Sequence, residues 1–327
     1  MTTSRELLAT ANPDGVPPEG QTDREAGPPL GIESMTIDTG SGSRVRARIF
    51  DALAVGDDDL SAPVCLLLPA MGTRASFYEP FARTLAGRGY RTVTVDLRGQ
   101  GASSERASRG SRFGYREIVE SDLPMIVETV RERYPGRPLL IAGHSLGGQL
   151  AALATCRGLI RPNGLILIAA GSAHWRSWPK GSRLRALLTV TGIGTVARLT
   201  PWYPGRRLGF GGNQPRRLMA DWTHAALHGR YRSVADGRSL EAESSRNSTA
   251  VLAIRVRGDL IAPREAVESL TSRFDFGVLT RIAVAPVPGT SGFGRHFAWV
   301  RQSGAMVDAI ASWSDQVVSY SGERIHA

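Results

Sequence analysis

The stretch Gly143-His144-Ser145-Leu146-Gly147-Gly148 constrains this chain more than any other part of it. It lies between the apolar run at 139–142 and a helical pattern over 149–157. A serine at a sharp crossing from a buried strand to a helix has a strained backbone, and only small neighbours leave room for such a turn. The stretch therefore predicts a nucleophile elbow, with the Ser145 hydroxyl beside the free amides of a helix start.

Strand and helix patterns alternate through most of the remaining sequence. Period-two alternation in Val45, Ala47 and Ile49 predicts an early hairpin, with strands over 34–39 and 44–51. Apolar runs predict further strands at 64–69, 91–95, 139–142, 165–169, 251–256 and 279–285. Helical spacing predicts helices at 77–87, 115–134, 149–157, 264–274 and 297–318. This order indicates an open α/β sheet that begins with antiparallel strands.

The alternation fails between residues 171 and 248, where clusters of Gly, Pro, Trp and Arg replace it. We interpret this region as a cap inserted into the sheet domain. The predicted organisation is a disordered tail over 1–31, the first part of the core over 32–170, the cap over 171–248 and the second part of the core over 249–320. The tail contains no continuous apolar segment, so it does not resemble a signal peptide, and this favours a cytoplasmic location.

The positive charge of the chain is concentrated in the cap. Between His174 and Ala235 there are eleven Arg or Lys residues against the single acid Asp221, while the whole chain carries +10. No recognised nucleic-acid motif accompanies these arginines, which argues against a nucleic-acid partner. No apolar run reaches the roughly 20 residues that a membrane span needs. Cys65 and Cys156 lie in apolar elements without metal-like spacing and are predicted to be buried free thiols.

Two residues beyond the cap are candidate partners for Ser145. Asp259 follows the strand at 251–256, at the end of the sheet where a carboxylate could orient a catalytic histidine. Asp96 ends an earlier strand and is the alternative acid. Of the six histidines, His296 lies after the last predicted strand and is the candidate base. His144 adjoins Ser145 but is expected to point away from the hydroxyl and to serve in packing or hydrogen bonding.

The elbow, the Asp96–Ser103 stretch, the Arg257–Asp259 stretch and the late His296 together resemble the α/β-hydrolase superfamily over roughly residues 34–318. The chain is most similar to its serine aminopeptidase and monoacylglycerol lipase-like branch, in particular to predicted bacterial hydrolases with Pro-Ala-Met-Gly after the third strand. The resemblance implies a mostly parallel eight-stranded sheet with helices on both faces and an inserted helical cap. It also implies the chain order Ser145, Asp259, His296 for the catalytic triad.

The oxyanion hole is expected to consist of two backbone amides. Leu146 supplies one, directly after the nucleophile, and Met71 supplies the other, at the position that follows a His-Gly pair in many relatives. Here that pair is Pro69-Ala70. The substitution leaves the Met71 amide available but removes a histidine that often supports the loop.

These residues predict a serine hydrolase that cleaves an ester or thioester of a small or medium acyl substrate, with no metal or organic cofactor. An acyltransferase with the same triad remains open. A non-catalytic ligand-binding homologue is disfavoured because each triad candidate is present. Dehalogenases and epoxide hydrolases are disfavoured because they have aspartate in place of Ser145.

The cap leaves two questions about the substrate open. Four of the six tryptophans lie there, and they form either an acyl-binding wall or a small core of the cap itself; they are Trp175, Trp178, Trp202 and Trp222. The arginines either attract an anionic or carrier-bound acyl substrate or are a solvated surface.

Overall fold

The computed structural model describes residues 31–40, 42–52, 60, 62–241, 248–272 and 278–323. Apart from Gly31, the predicted disordered tail lies outside these ranges, as do His326, residues 242–247 of the cap and the last residues of the helix predicted over 264–274. Within the described ranges, no helix is both long and apolar enough to cross a membrane. Cys65 and Cys156 are both buried and are not joined in a disulfide.

An eight-stranded sheet lies at the centre of the fold, in the spatial order β1-β2-β4-β3-β5-β6-β9-β10. Pairing is antiparallel between β1, β2 and β4 and parallel across the rest of the sheet. The eight strands are β1 (Ile32–Asp38), β2 (Arg44–Phe50), β3 (Val64–Leu68), β4 (Arg91–Val95), β5 (Leu139–His144), β6 (Gly164–Ile168), β9 (Ala250–Val256) and β10 (Leu279–Val284). The mostly parallel sheet expected from the sequence is confirmed.

Helices cover both faces of this sheet, because strands buried on both sides alternate their side chains between two apolar layers. In β3, Leu66 contributes to one layer and Leu67 to the other. The first layer holds α3 (Leu123–Arg133), α4 (Leu146–Cys156) and α8 (Arg264–Thr271), and the second holds α1 (Glu79–Ala86) and α10 (Gly304–Glu323). Each fully buried Leu or Ile side chain contributes about 1.5–3 kcal/mol to this packing.

The long helix predicted over 115–134 is interrupted. It consists of α2 (Tyr115–Glu117), a π-helical turn over Ile118–Asp122 and then α3. Pro124 at the start of α3 has no amide to continue the regular hydrogen-bond ladder, and a π turn accommodates such a break.

The prediction of a single closing helix over 297–318 is wrong. The structure has a short helix α9 (Arg295–Ala298) and then α10 from Gly304. Between them the chain turns tightly, as the Val300 amide donates to the Phe297 carbonyl at 3.2 Å. The apolar periodicity continued across this turn, because Trp299 and Val300 are buried in the same layer as α10.

The cap lies between β6 and β9. Its elements are α5 (Arg183–Leu199), β7 (Tyr203–Pro204), α6 (Gly205–Leu208), β8 (Asn213–Gln214) and α7 (Arg216–His228). Helices α5 and α7 pack on each other, and their buried residues join the apolar layer that also contains Leu146. The cap therefore packs on the layer that holds the helix of the elbow.

Candidate active site

Ser145 has the strained backbone that the elbow predicts. Its φ is 52° and its ψ is −114°, in the region that favours glycine. The Ser145 amide donates to the Ile168 carbonyl at 3.0 Å, and its own carbonyl accepts the Gly148 amide at 3.1 Å. Between residues 139 and 156, all of them described, Ser145 alone is not buried. The turn therefore presents the serine at the surface of an otherwise buried strand and helix.

Two glycines of the elbow are required by close backbone contacts. A Cβ added to Gly143 would lie 2.4 Å from the Cα of Gly148, across the turn. A Cβ on Gly147 would lie 2.4 Å from the carbonyl oxygen of Leu68, at the end of β3. These contacts hold the start of α4 directly against the end of the neighbouring strand.

Asp259 and His296 are brought together from two different loops. Asp259 follows β9, and its Oδ2 lies 2.7 Å from Nδ1 of His296 in α9. Both side chains are almost fully buried. The other carboxylate oxygen of Asp259 accepts the amides of Ile261 at 2.8 Å and Ala262 at 3.2 Å. Because an ionised carboxylate can only accept, Nδ1 of His296 donates and Nε2 is left as the basic nitrogen.

The His296 ring lies beside the elbow. Its centroid is 4.7 Å from that of His144, the residue that precedes Ser145. The indole of Trp299 donates to the His296 carbonyl at 2.9 Å, so the turn after α9 also fixes the histidine backbone. The break after α9, in place of one continuous closing helix, thus supplies a hydrogen bond to the backbone of His296.

The other candidates lie in different surroundings. Both carboxylate oxygens of Asp96 accept backbone amides, from Ala75 at 2.6 Å and Ala102 at 2.8 Å, so this residue ties two loops together. The rings of His224 and His228 lie side by side on α7 of the cap, tilted by 41° with their centroids 4.6 Å apart. His144 is fully buried, and this burial, followed by the nearby His296, lowers its pKa well below the usual value.

The expected oxyanion donors come from adjacent segments. Residues 70–73 form a turn in which the Thr73 amide donates to the Ala70 carbonyl at 3.1 Å. Within the described part of the chain, the Met71 amide makes no backbone hydrogen bond. Leu146 is the first residue of α4, where amides have no partner inside the helix. The contact of Gly147 with the end of β3 places the two segments side by side.

A glycine loop of the cap touches the Met71 turn. Gly72 has a φ of 74°, and a Cβ added there would lie 2.3 Å from the Gly211 carbonyl oxygen. A Cβ on Gly211 would in turn lie 2.7 Å from the Met71 sulfur. Phe210 packs against Trp222, with ring centroids 5.5 Å apart. The contact between Gly211 and Met71 therefore brings the neighbouring apolar cap residue Phe210 close to the expected oxyanion donor.

The four cap tryptophans do not form one wall. Trp222 is buried, whereas Trp202 is exposed at its edge. Arg176 lies over the ring of Trp175, and the Trp178 indole donates to the Leu260 carbonyl at 3.3 Å. Among the described residues, no group of three or more His, Cys, Asp or Glu could hold a metal ion.

Known proteins resemble this chain in sequence and in fold. A family model described as serine aminopeptidase, S33, matches residues 61–215. A monoglyceride lipase homolog of monkeypox virus is 27% identical over 134 residues, which are 40% of this chain and 46% of that protein. The match thus spans less than half the length of this relative.

Two solved structures show the same fold. A soluble variant of monoglyceride lipase from Saccharomyces cerevisiae, in complex with a substrate analog, has a TM-score of 0.62 at 14% identity, over 92% of this chain and 99% of that one. A thermostable carboxyl esterase from Bacillus coagulans, in complex with glycerol, has a TM-score of 0.58 at 14% identity, over 89% of this chain and 100% of that one. With the sheet order and the elbow, these likenesses show that this chain has the α/β-hydrolase fold and that its residues 61–215 resemble the serine aminopeptidase, S33, family.

Proposed function

We propose that this chain is a serine hydrolase that cleaves an ester or thioester of a small or medium acyl substrate through an acyl-enzyme intermediate. The observation that carries the proposal is the 2.7 Å contact between Asp259 and His296, which lies against the strained elbow of Ser145. A buried carboxylate, an imidazole and a partly exposed serine hydroxyl are the groups that nucleophilic acyl transfer needs.

In the proposed reaction, the Ser145 oxygen attacks the acyl carbonyl and its proton passes to Nε2 of His296. Asp259 holds the imidazole in the tautomer that can accept this proton and stabilises the imidazolium that forms. His296 then donates the proton to the departing alcohol or thiol. A water molecule, deprotonated by His296, attacks the acyl-serine ester, and His296 returns this proton to the departing Ser145 oxygen as the carboxylic acid is released.

The amides of Leu146 and Met71 would hold the negative oxygen of the tetrahedral intermediates. Loss of one such donor costs about 3–4 kcal/mol of transition-state stabilisation, or roughly 100- to 1,000-fold in rate. Because Leu146 begins α4, an oxyanion bound to its amide would also lie at the positive end of a helix dipole.

Two observations support an acyl ester as the substrate. Met71 and Phe210 are partly buried and pack against the apolar layer that contains Leu146, and apolar side chains near the elbow would suit an acyl chain. The related proteins named as monoglyceride lipases and a carboxyl esterase also act on esters, as their names state. The arginines of the cap favour an anionic or carrier-bound form of this substrate.

The test is a substrate panel with the purified protein and a Ser145→Ala control. The panel contains p-nitrophenyl esters of increasing chain length, monoacylglycerols, acyl-CoA thioesters and amino-acid amides. We expect turnover of esters or thioesters up to a limiting chain length, with one fluorophosphonate label per chain on Ser145. Activity that persists in Ser145→Ala, or turnover of the amides alone, would contradict the proposal.

The same panel separates hydrolysis from acyl transfer. Added alcohol or amine acceptors compete with water for the acyl-enzyme, and the products report which one wins. We expect the free acid to dominate. Acyl transfer that outpaces hydrolysis at millimolar acceptor would identify an acyltransferase instead.

A further inference from the structure

The hydroxyl of Tyr78 lies at the centre of a buried hydrogen-bond chain. Tyr78 ends a 3-10 turn over Ala75–Tyr78 and is fully buried. Its oxygen accepts the Ala70 amide at 2.9 Å and lies 2.8 Å from Nδ1 of His144. These two hydrogen bonds connect His144, the residue before the candidate nucleophile, to the turn that contains Met71.

The direction of the bond to Ala70 follows from its groups, and the direction of the bond to His144 follows from the tautomer of its ring. The Ala70 amide can only donate, so the Tyr78 oxygen accepts from it. The hydroxyl proton is then free to be donated to His144. Burial lowers the pKa of His144, which keeps its imidazole neutral and lets Nδ1 act as an acceptor.

These hydrogen bonds hold the peptide unit that carries the Met71 amide. The Ala70 amide is held by Tyr78, and the Ala70 carbonyl accepts the Thr73 amide at 3.1 Å. The peptide bond between Ala70 and Met71 is planar and trans, so its N–H points opposite to the Ala70 carbonyl. Fixing Ala70 at both groups therefore fixes the direction of the Met71 N–H.

The sequence in this turn makes the Tyr78 contact important. Pro69 has no amide, so Ala70 offers the first donor after β3 that can anchor the loop. Gly72 has a φ of 74°, and because glycine has no Cβ, its own backbone is free to adopt other conformations and does not hold the turn in place. Tyr78 reaches the loop from eight residues further along the chain.

We propose that Tyr78, supported by His144, is a positioning residue that holds the Met71 amide in the oxyanion hole. The proposal rests on the serine hydrolase function proposed above. Neither side chain needs to touch the substrate, because both act through the backbone of Ala70.

The test compares Tyr78→Phe with Tyr90→Phe. Tyr90 is the matched control, since its buried hydroxyl bonds to Ser314 of α10. Tyr78→Phe loses two buried hydrogen bonds and Tyr90→Phe loses one, so both variants are expected to lose stability, Tyr78→Phe the more. For an ester substrate, we expect kcat to fall about 10- to 100-fold in Tyr78→Phe alone, with KM nearly unchanged, because the oxyanion contact forms only in the transition state.

Three further readouts separate positioning from a merely structural effect. A trifluoromethyl ketone, which forms an oxyanion adduct with the serine, should bind Tyr78→Phe more weakly by the same factor as kcat falls. The pH dependence of kcat/KM should keep its midpoint, since the Asp259–His296 pair is untouched. Amide hydrogen exchange over residues 69–73 should be faster in Tyr78→Phe and unchanged in Tyr90→Phe.

His144→Asn and His144→Leu complete the experiment. Asparagine retains a polar atom near the place of Nδ1, so its kcat should exceed that of the leucine variant. Equal kcat values for Tyr78→Phe and wild type, or unchanged exchange over 69–73, overturn this inference and leave the hydrolase function standing. A wild-type protein that neither turns over esters nor binds the ketone overturns both.

Discussion

The elbow and the cap meet their neighbours through different kinds of contact. At the elbow, backbone lies directly on backbone: an added Cβ at Gly143 or Gly147 would lie 2.4 Å from main-chain atoms. On helix α7 of the cap, by contrast, charged side chains make the contacts with neighbouring segments. Asp221 of α7 accepts the amides of Tyr115 at 2.9 Å and Val234 at 2.7 Å, and Arg217 pairs with Glu117 at 3.3 Å.

From this difference we expect the elbow to determine the chemistry and the cap to determine which substrate is accepted. Backbone contacts leave the elbow almost no tolerance, which suits a hydroxyl that must be held within a fraction of an ångström. Side chains of the cap can be exchanged without moving the sheet, and large apolar residues such as Leu184, Leu188 and Leu199 are exposed on α5. We therefore expect substitutions at the site to abolish turnover and substitutions in the cap to change stability or selectivity.

The largest expected effect is the loss of any member of the proposed triad. Ser145→Ala, His296→Ala and Asp259→Asn should each reduce kcat by about 10⁴-fold or more, because the three residues transfer one proton as a unit. The double variant Ser145→Ala/His296→Ala should be no slower than the slower single variant. Steady-state kinetics with circular dichroism as the folding control measures this. A multiplicative loss in the double variant would contradict it.

A glycine exchange sharpens the comparison of the two regions. Gly147→Ala should cost about 3 kcal/mol of unfolding free energy, since the Cβ would overlap the end of β3. Gly192→Ala, inside α5, meets open space and should raise stability by about 0.5–1 kcal/mol. Urea unfolding of both variants gives the two free energies. Similar costs at the two positions would show that the elbow is not the tighter region.

Asp221 is expected to make the attachment of the cap depend on pH. Burial, followed by the nearby Glu117, raises its pKa to about 6 in the fold, from an ordinary value of 3.8. The native state therefore binds a proton more strongly, and this contribution to stability is present below about pH 4 and lost as the pH rises through about 6. Asp221→Asn should lack this decline and, with one amide left unsatisfied, be about 1–3 kcal/mol less stable. Urea unfolding of both proteins between pH 4 and 7 tests the difference, and equal slopes would refute it.

The smallest expected effect concerns the exposed arginines of the cap. Arg206→Glu/Arg207→Glu should lower kcat/KM for an anionic ester by about 10-fold at 0.01 M salt and by much less at 0.1 M, where the Debye length is about 10 Å. A neutral ester of the same acyl length should be unaffected. These two positions are preferable to Arg217, whose pairing with Glu117 joins the cap to the core. Parallel salt profiles for the two esters would assign the arginines to a solvated surface.

Local pattern was enough for the architecture and for the choice of candidate residues. Buried strands, the glycines around Ser145 and the positions of Asp259 and His296 after their strands depend on neighbours close in the sequence. The carboxyl ends of parallel strands share one edge of a sheet, so residues that follow those strands are candidates for one site. The role of the site residues as a catalytic unit stays a prediction until turnover is measured.

Only the tertiary structure decided which of these groups touch. Asp96 and Asp259 both follow strands, yet backbone amides occupy Asp96 while Asp259 meets His296. Tyr78 has the apolar spacing of a core residue, and nothing local shows that its hydroxyl bonds to His144, 66 residues away. Which polar groups from distant segments form hydrogen bonds depends on how the helices pack on the sheet. Periodicity tells which face of an element is buried, but not which polar atom it meets there.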